Sequence, residues 1–272
     1  MSRARSLVIA GFAALLGIGL IFGAQGAGPD NRLPLAVAVF GAQVLFVLAW
    51  AAVLRPPAVW VVAGIGVAVA VAADLAAVLP RIATLAPLGY VAAGGFVLAV
   101  IGQLLLRRDR QRVTESLGAT VFIMVGAVAF GVLIVLNRLP DAGTQAIFVA
   151  LVATAVSLTL ARLTDAVLPR PRLAPQVPRG ALGVVLGAVL GTLVSAVTGA
   201  FLAGFTPATG AAVGLVAAGA AVLADLTADY GEASRQMAGD PPASELARLV
   251  QGPLGGFALA APLAYAMSSL LL

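Results

Sequence analysis

The sequence predicts an all-α, polytopic integral membrane protein with about nine transmembrane helices. Of its 272 residues, 61% are apolar and only 10% are charged, and the mean hydropathy is +1.08. The apolar runs reach about 20 residues, which is the length a helix needs to cross a bilayer, and they lack the alternation of membrane strands. No polar segment is long enough to form a second domain, so we expect residues 1–272 to form a single transmembrane domain.

Nine apolar segments can be delimited along the chain, and each is long enough for one span. They cover residues 7–27, 33–54, 58–79, 86–106, 116–136, 144–163, 181–205, 209–226 and 249–271. The first segment follows two arginines, as a signal peptide would, but its apolar run exceeds a typical signal core and no separate cleavage site follows it. We therefore interpret it as a retained anchor.

The arginines are distributed asymmetrically between the loops. If the N-terminus lies inside, thirteen arginines fall on the cytoplasmic side and only Arg32, Arg81 and Arg138 fall outside. Because positive residues are retained on the cytoplasmic side, this bias predicts a cytoplasmic N-terminus and an external C-terminus. The long polar loops at 164–180 and 227–246 then both face the cytoplasm. We expect a multi-pass protein of the inner (cytoplasmic) membrane.

The composition restricts the chemistry that the chain can support. There is no cysteine and no histidine, so thiolate ligands, imidazole ligands and imidazole bases are absent. All sixteen basic residues are arginine. Arginines at a membrane face serve topology and lipid headgroups, and we expect no nucleic-acid partner. Catalysis would need carboxylates, hydroxyls, arginine or a metal held by carboxylates.

Acidic residues are concentrated in the stretch ADLTADYGEASRQMAGD, residues 224–240. Asp225 lies at the end of the eighth apolar segment, and a carboxylate at membrane depth is costly and often functional. If the helix continues past it, Asp225, Asp229 and Glu232 share one face. Such a face could hold Mg²⁺, or it could be a solvated amphipathic extension. Asp74, in the third segment, could bond a neighbouring helix, reach the interface or serve a proton or ion pathway.

Two further patterns concern topology and packing. The basic turn RRDRQR at 107–112 fits a cytoplasmic loop and could also contact anionic headgroups. In the seventh segment, Gly183, Gly187 and Gly191 are spaced one turn apart. Small residues at this spacing let helices approach closely, so they predict a packing face, either within one chain or between protomers.

Three sequence features occur in the order found in one known family. They are RLAPQVPRG at 172–180, ADL at 224–226 and GPLGGFALAAPLAYAMSSLLL at 252–272. Residues 86–272 resemble the membrane-embedded phosphatidate cytidylyltransferases (CDP-diacylglycerol synthases), whereas residues 1–85 match them only in hydropathy. The resemblance implies about nine spans, a cytoplasm-facing cavity and a divalent metal held by carboxylates. It also implies the joining of CTP to phosphatidic acid, which releases pyrophosphate.

Part of the family pattern is retained. The acid of its Gly-Asp-Leu motif corresponds to Asp225, and the arginine of its sixth-span motif corresponds to Arg162. Its basic loop segment leaves Pro178 and Arg179 recognisable in this chain. These matches make Arg162 and Arg179 candidates for binding a ligand or a phosphate, together with Arg235.

Most of the catalytic pattern is absent. The family's Lys-Arg pair falls at Glu232 and Ala233, and its two closing acids fall at Gly252 and Gly255. The histidine has no counterpart. Losing one transition-state donor typically costs about 2.7–4 kcal/mol, so losing these groups together predicts that the metal-dependent reaction is not supported.

The sequence leaves three functions open. In the first, the chain is a catalytically inactive relative that binds membrane lipids or acts as a partner subunit, as a homodimer or with another membrane protein, and needs no cofactor. In the second, it is an active cytidylyltransferase with a shifted site, in which Asp225, Asp229 and Asp240 hold Mg²⁺ and arginines hold phosphate. In the third, it is a small-solute transporter that uses Asp74.

Overall fold

The computed structural model describes residues 3–27, 31–105, 113–140 and 142–272, and this part of the chain is almost entirely helical. Its helices are α1 Arg3–Gly26, α2 Leu33–Leu54, α3 Val59–Val78, α4 Ala86–Leu105, α5 Val113–Asn137, α6 Gly143–Val167, α7 Ala181–Phe201, α8 Pro207–Met237 and α9 Glu245–Leu271. Among the described residues, eight helices are long and apolar enough to cross a membrane. The apolar part of α4, Ala86–Gly102, is shorter than these. The predicted all-α, multi-pass class is therefore confirmed. The cytoplasmic N-terminus stays a prediction.

The eighth helix is longer than its apolar segment. The apolar segment ends near residue 226, and the sequence leaves open whether the helix continues past Asp225. In the structure α8 continues to Met237, so it occupies the first part of the polar segment 227–246. The helix ends where Gly239 adopts a left-handed φ of 80° and the amide of Asp240 bonds the carbonyl of Arg235 at 3.0 Å. The polar residues of the last turns bond other helices, so the helix continues although its sequence is no longer apolar.

The sixth helix lies at the centre of the bundle. It packs against α1, α5, α7, α8 and α9. The glycines of α7 face it: a Cβ built on Gly187 would lie 2.6 Å from the carbonyl oxygen of Ser157, and one on Gly191 would lie 2.8 Å from that of Ala153. The sequence leaves open whether this glycine face packs within the chain or between protomers. The structure places it within the chain.

A short hairpin follows the central helix. Strands β1 Arg172–Ala174 and β2 Val177–Gly180 pair antiparallel, with Ala174 opposite Val177, and α7 begins at the next residue. The hairpin occupies most of the predicted loop at 164–180, and α6 occupies its beginning. The other polar turn singled out in the sequence, RRDRQR at 107–112, lies outside the described residues.

Candidate functional site

Asp225 is fully buried and bound by two arginines. Its side chain is 0% exposed. Arg162 binds both carboxylate oxygens, with Nε donating to Oδ2 at 2.8 Å and Nη2 donating to Oδ1. Arg179 donates from Nη1 to Oδ2 at 2.6 Å. The carboxylate therefore receives a two-pronged bond from one guanidinium and a further charge-assisted bond from a second.

Two more acids complete what we call the ionic cluster. Asp229 Oδ2 lies 3.0 Å from Arg162 Nη2 and 3.5 Å from Arg179 Nη1. Asp165 Oδ2 lies 2.9 Å from Arg179 Nε as an ion pair rather than an aligned hydrogen bond. The other oxygen of Asp165 accepts the backbone N–H of Gly180 at 2.9 Å. The ionic cluster consists of Arg162, Asp165, Arg179, Asp225 and Asp229, all of them buried.

Three elements bring the ionic cluster together. Arg162 and Asp165 are three residues apart on α6 and so lie on one face, and Asp225 and Asp229 are four residues apart on α8. Arg179 comes from β2, where it points into the bundle and is 0% exposed. The hairpin thus supplies the second cation that the acids of α6 and α8 need.

The ionic cluster contains three carboxylates and two guanidinium groups, a formal charge of −1. Buried charges are tolerated only when they are paired, and breaking such a pair by removing one partner costs about 3–5 kcal/mol. Arginine donors already bind both oxygens of Asp225, so a metal ion would have to displace or compete with them. The geometry suits a network of ion pairs that stabilises the fold better than it suits a metal centre.

The other proposed metal ligands are also unsuited to Mg²⁺. Asp240 lines a separate cavity, described below, and is not part of the ionic cluster. Among the described residues, no group of three or more acids is placed to hold a metal ion. Gly252, which corresponds to one of the family's closing acids, packs so closely on Asp225 that a Cβ there would overlap Oδ1. The residues present therefore do not fit the divalent metal that the resemblance implies.

A second group of ions lies beside the ionic cluster. Glu232 accepts a bond from Arg5 of α1 at 2.8 Å and another from Arg248 of α9, and Gln236 donates to it at 3.1 Å. This group borders a polar cavity of about 280 Å³, whose other lining residues are Arg172, Pro175, Gln176, Asp229 and Ala233. The predicted solvated face of α8 is instead bonded to two other helices.

A cavity of about 880 Å³ lies between α2, α5, α8 and α9. Its body is apolar and includes Phe46, Trp50, Ala129 and Ala258. Several lining side chains near the middle of α5 and α9 are extensively exposed: Phe122 by 45%, Val125 by 57% and Leu259 by 45%. The cavity therefore opens sideways, toward the surface that faces lipid in a membrane.

One end of this cavity is charged. Arg55 follows the last residue of α2, and Glu115 lies in the first turn of α5. Arg235 lies in the last turn of α8, and Asp240 follows three residues after the end of that helix. Arg55 donates to the carbonyl of Pro241 at 3.0 Å and to that of Pro242, which ties the α8–α9 loop to the rim. We call these four side chains the charged rim: Arg55, Glu115, Arg235 and Asp240. The cavity is thus amphipathic along its length.

The length of the cavity matches one leaflet. Along α5 its lining runs from Glu115 at the charged rim to Ala129, a rise of about 21 Å. One leaflet is about 20–22 Å thick when its headgroup region is included, and about 15 Å of this is hydrocarbon. A chain that enters from the charged rim can therefore extend through one leaflet while it stays in contact with the cavity.

Asp74 lies apart from both cavities. It is 8% exposed and accepts a bond from Gln43 Nε2 at 3.0 Å, and the same nitrogen bonds the carbonyl of Ala127 at 2.9 Å. The three groups join α2, α3 and α5 in the interior of the bundle. This arrangement corresponds to the predicted bond to a neighbouring helix.

The structure brings only some of the sequence candidates together. Arg162, Arg179, Asp225 and Asp229 meet in the ionic cluster, whereas Arg235 and Asp240 belong to the charged rim. The sequence reasoning missed Asp165 and Gln43. Asp165 could have been found from its position three residues after Arg162, near the end of an apolar segment. Gln43 could have been found as a lone amide within a span.

Comparisons with protein-family models, with curated proteins and with solved structures gave no match.

Proposed function

We propose that this chain is a catalytically inactive membrane protein that binds one phospholipid molecule in the 880 Å³ lateral cavity. The headgroup lies at the charged rim, and an acyl chain lies along α2, α5 and α9. The observation that carries the proposal is the cavity itself, which is apolar in its body, charged at one end and open toward the membrane. Its volume is within the range of about 300–1,000 Å³ typical of ligand sites.

The buried state of Asp225 supports the absence of catalysis. A cytidylyltransferase must hold a nucleotide and a metal where its acids are accessible. Here the retained acid is 0% exposed and its oxygens are bonded to Arg162 and Arg179. Restoring an acid at Gly252 would force its side chain into Asp225.

A distant relationship to the phosphatidate cytidylyltransferases is included in the proposal. A divergent relative of these enzymes would retain a helical frame and a lipid cavity after losing its metal ligands. On this view Arg179 and Arg162 neutralise Asp225, the one acid retained from the family pattern. The chain would then act as a lipid-binding subunit of the cytoplasmic membrane.

Lipid binding can be tested with a variant that fills the cavity. Gly118 lines the cavity, lies on a helix and has no neighbouring atom within 4 Å of the position that a Cβ would take. Gly118→Leu therefore adds a side chain to the cavity wall at a position where its Cβ meets no other atom. The purified chain is exchanged into lipid-free detergent micelles, titrated with dioleoyl phospholipids and examined by native mass spectrometry. We expect one tightly bound lipid in the wild-type chain and at least a tenfold loss of affinity in Gly118→Leu.

A matched control is available on another helix. Gly64 is also exposed, helical and free of neighbours within 4 Å, but it does not line the cavity. Gly64→Leu should bind lipid like the wild type. Equal binding by both variants, or no bound lipid in the wild-type chain, would contradict the proposed site. If the mass that stays bound to the chain is that of a polypeptide and not that of a lipid, the cavity is a subunit interface instead.

The absence of catalysis has its own test. The purified chain is incubated with CTP, Mg²⁺ and phosphatidic acid, and release of pyrophosphate is compared with that of Asp225→Ala. We expect no release above this control. Release that depends on Asp225 would show an active enzyme with a shifted site.

A further inference from the structure

We infer that the cavity of about 280 Å³ beside the ionic cluster, which we call the polar cavity, binds a phosphate group. The phosphate belongs either to a small soluble compound or to a lipid headgroup. The polar cavity shares no lining residue with the lateral cavity, so the inference does not depend on the proposed function. Its three arginines are Arg5, Arg172 and Arg248, none of which is a phosphate-binding candidate from the sequence.

The polar cavity lies at one end of the bundle, where the ends of three helices meet the hairpin. Arg5 is in the first turn of α1, Arg248 in the first turn of α9 and Gln236 in the last turn of α8. The hairpin contributes Arg172 from β1 and Gln176 from its turn. The ends of spanning helices lie near the membrane surface, so this cavity is at the level of water and lipid headgroups. Its volume is just below the range of about 300–1,000 Å³ for drug-sized ligands, which suits a phosphate group better than a whole nucleotide.

The carboxylate at the centre of the polar cavity cannot satisfy all the arginine donors around it. A guanidinium group has five N–H donors, whereas a carboxylate has about four acceptor sites. Glu232 already accepts four hydrogen bonds: two from Arg5 at 2.8 and 3.3 Å, one from Arg248, and one from Gln236 at 3.1 Å. Nε of Arg248 is buried and has no hydrogen-bond partner among the described residues. The cavity therefore lacks acceptors rather than donors.

The second acid of the polar cavity is bound elsewhere. Asp229 lies 3.0 Å from Arg162 and 3.5 Å from Arg179, which both belong to the ionic cluster. Arg172 is exposed at the cavity, and within the described part of the chain it makes no ion pair. The cavity thus presents one unpaired guanidinium group beside two others that both bind Glu232.

A phosphate group fits this arrangement because it brings acceptors and negative charge together. Its oxygens point in tetrahedral directions, so they can accept hydrogen bonds from guanidinium groups that belong to different elements. Glu232 repels the anion, but it also holds Arg5 and Arg248 beside the space that the anion enters. In the bound state we expect Arg172 to donate from the hairpin and Arg248 to donate from α9.

The test is a calorimetric titration of the purified full chain in detergent, at constant ionic strength in potassium chloride. The probe is inorganic phosphate, and we expect one saturable site with a dissociation constant of about 1 mM or lower. Arg172→Gln should keep the wild-type circular dichroism and weaken phosphate binding at least about tenfold, because one charge-assisted hydrogen bond is lost. Acetate has fewer acceptor oxygens, so it should bind at least about tenfold more weakly than phosphate.

A matched control removes a neighbouring arginine. Arg170 is exposed on the same connection, two residues before Arg172, but it does not line the polar cavity. Arg170→Gln should therefore bind phosphate like the wild type. The inference is overturned by the absence of saturable phosphate binding, by equal binding in the two arginine variants, or by equal binding of acetate and phosphate.

Two further titrations identify the source of the phosphate and use Gly118→Leu, so that lipid binding in the lateral cavity does not contribute. Dioctanoyl phosphatidate that binds at least about tenfold better than glycerol 3-phosphate would assign the site to a lipid headgroup. Equal or weaker binding of phosphatidate would assign it to a soluble phosphate compound, and either result supports a phosphate site if Arg172→Gln abolishes it. If phosphate binds but the lateral cavity holds no lipid, the proposed function fails and this inference stands.

Discussion

Replacing Arg179 by alanine tests whether the ionic cluster holds the bundle together. Arg179 lies 2.6 Å from a carboxylate oxygen of Asp225, 2.9 Å from one of Asp165 and 3.5 Å from one of Asp229. Without it, Arg162 is the remaining cation of the ionic cluster, and the formal charge of the cluster changes from −1 to −2. Leaving buried charges unpaired in this way should lower the free energy of unfolding by about 3–5 kcal/mol.

The measurement is equilibrium unfolding in mixed micelles. Purified wild-type and variant chains are titrated with sodium dodecyl sulfate, and the loss of helix is followed by far-ultraviolet circular dichroism. Arg172, on the same hairpin, is exposed and provides the control. Arg172→Ala should change the free energy of unfolding by no more than about 0.5 kcal/mol.

A double variant tests the physical reason. Arg179→Ala combined with Asp165→Ala removes a cation and one of its acids together. The double variant should therefore lose less free energy of unfolding than the two single variants lose in sum. The expected coupling is about 0.5–3 kcal/mol. The reasoning is refuted if Arg179→Ala is no more damaging than Arg172→Ala, or if the two single losses simply add.

Two further predictions concern other buried contacts and use the same unfolding measurement. Gln43→Leu should lower the free energy of unfolding by about 1–3 kcal/mol, because Asp74 loses its hydrogen-bond donor. Adding Asp74→Leu should recover part of this loss of stability. A loss near zero in Gln43→Leu would show that the hydrogen bond contributes nothing to stability. Gly187→Leu should lower the free energy of unfolding by about 1–3 kcal/mol, because its Cβ would overlap the backbone of Ser157. Gly64→Leu should leave the free energy of unfolding nearly unchanged. Equal stability of these two glycine variants would contradict the close packing of α6 and α7.

The spans were predictable because the bilayer fixes their length. Continuous apolar runs of about 20 residues identify them without knowledge of their neighbours. Asp225 was also predictable as a special position, since charge is scarce in this chain. These properties are local to the sequence.

The contacts of the site were not predictable in the same way. The partners of Glu232 include Arg5, which is 227 positions away, and the second cation on Asp225 is 46 positions away. Read locally, Asp229 and Glu232 fit either a metal-binding face or a solvated extension of the helix. Only the packing of α1, α6, α8 and the hairpin shows that these acids are paired.

The ionic cluster has a consequence for the order in which the chain assembles. Arg162, Asp165 and Arg179 all precede α7 in the chain, whereas Asp225 and Asp229 follow it on α8. A nascent chain that has inserted only as far as α7 holds two arginines at this end of the bundle and a single acid to match them. Arrival of α8 adds two acids and changes the formal charge of the cluster from +1 to −1, so Arg162 and Arg179 obtain their bonds to Asp225 only when the eighth helix has inserted.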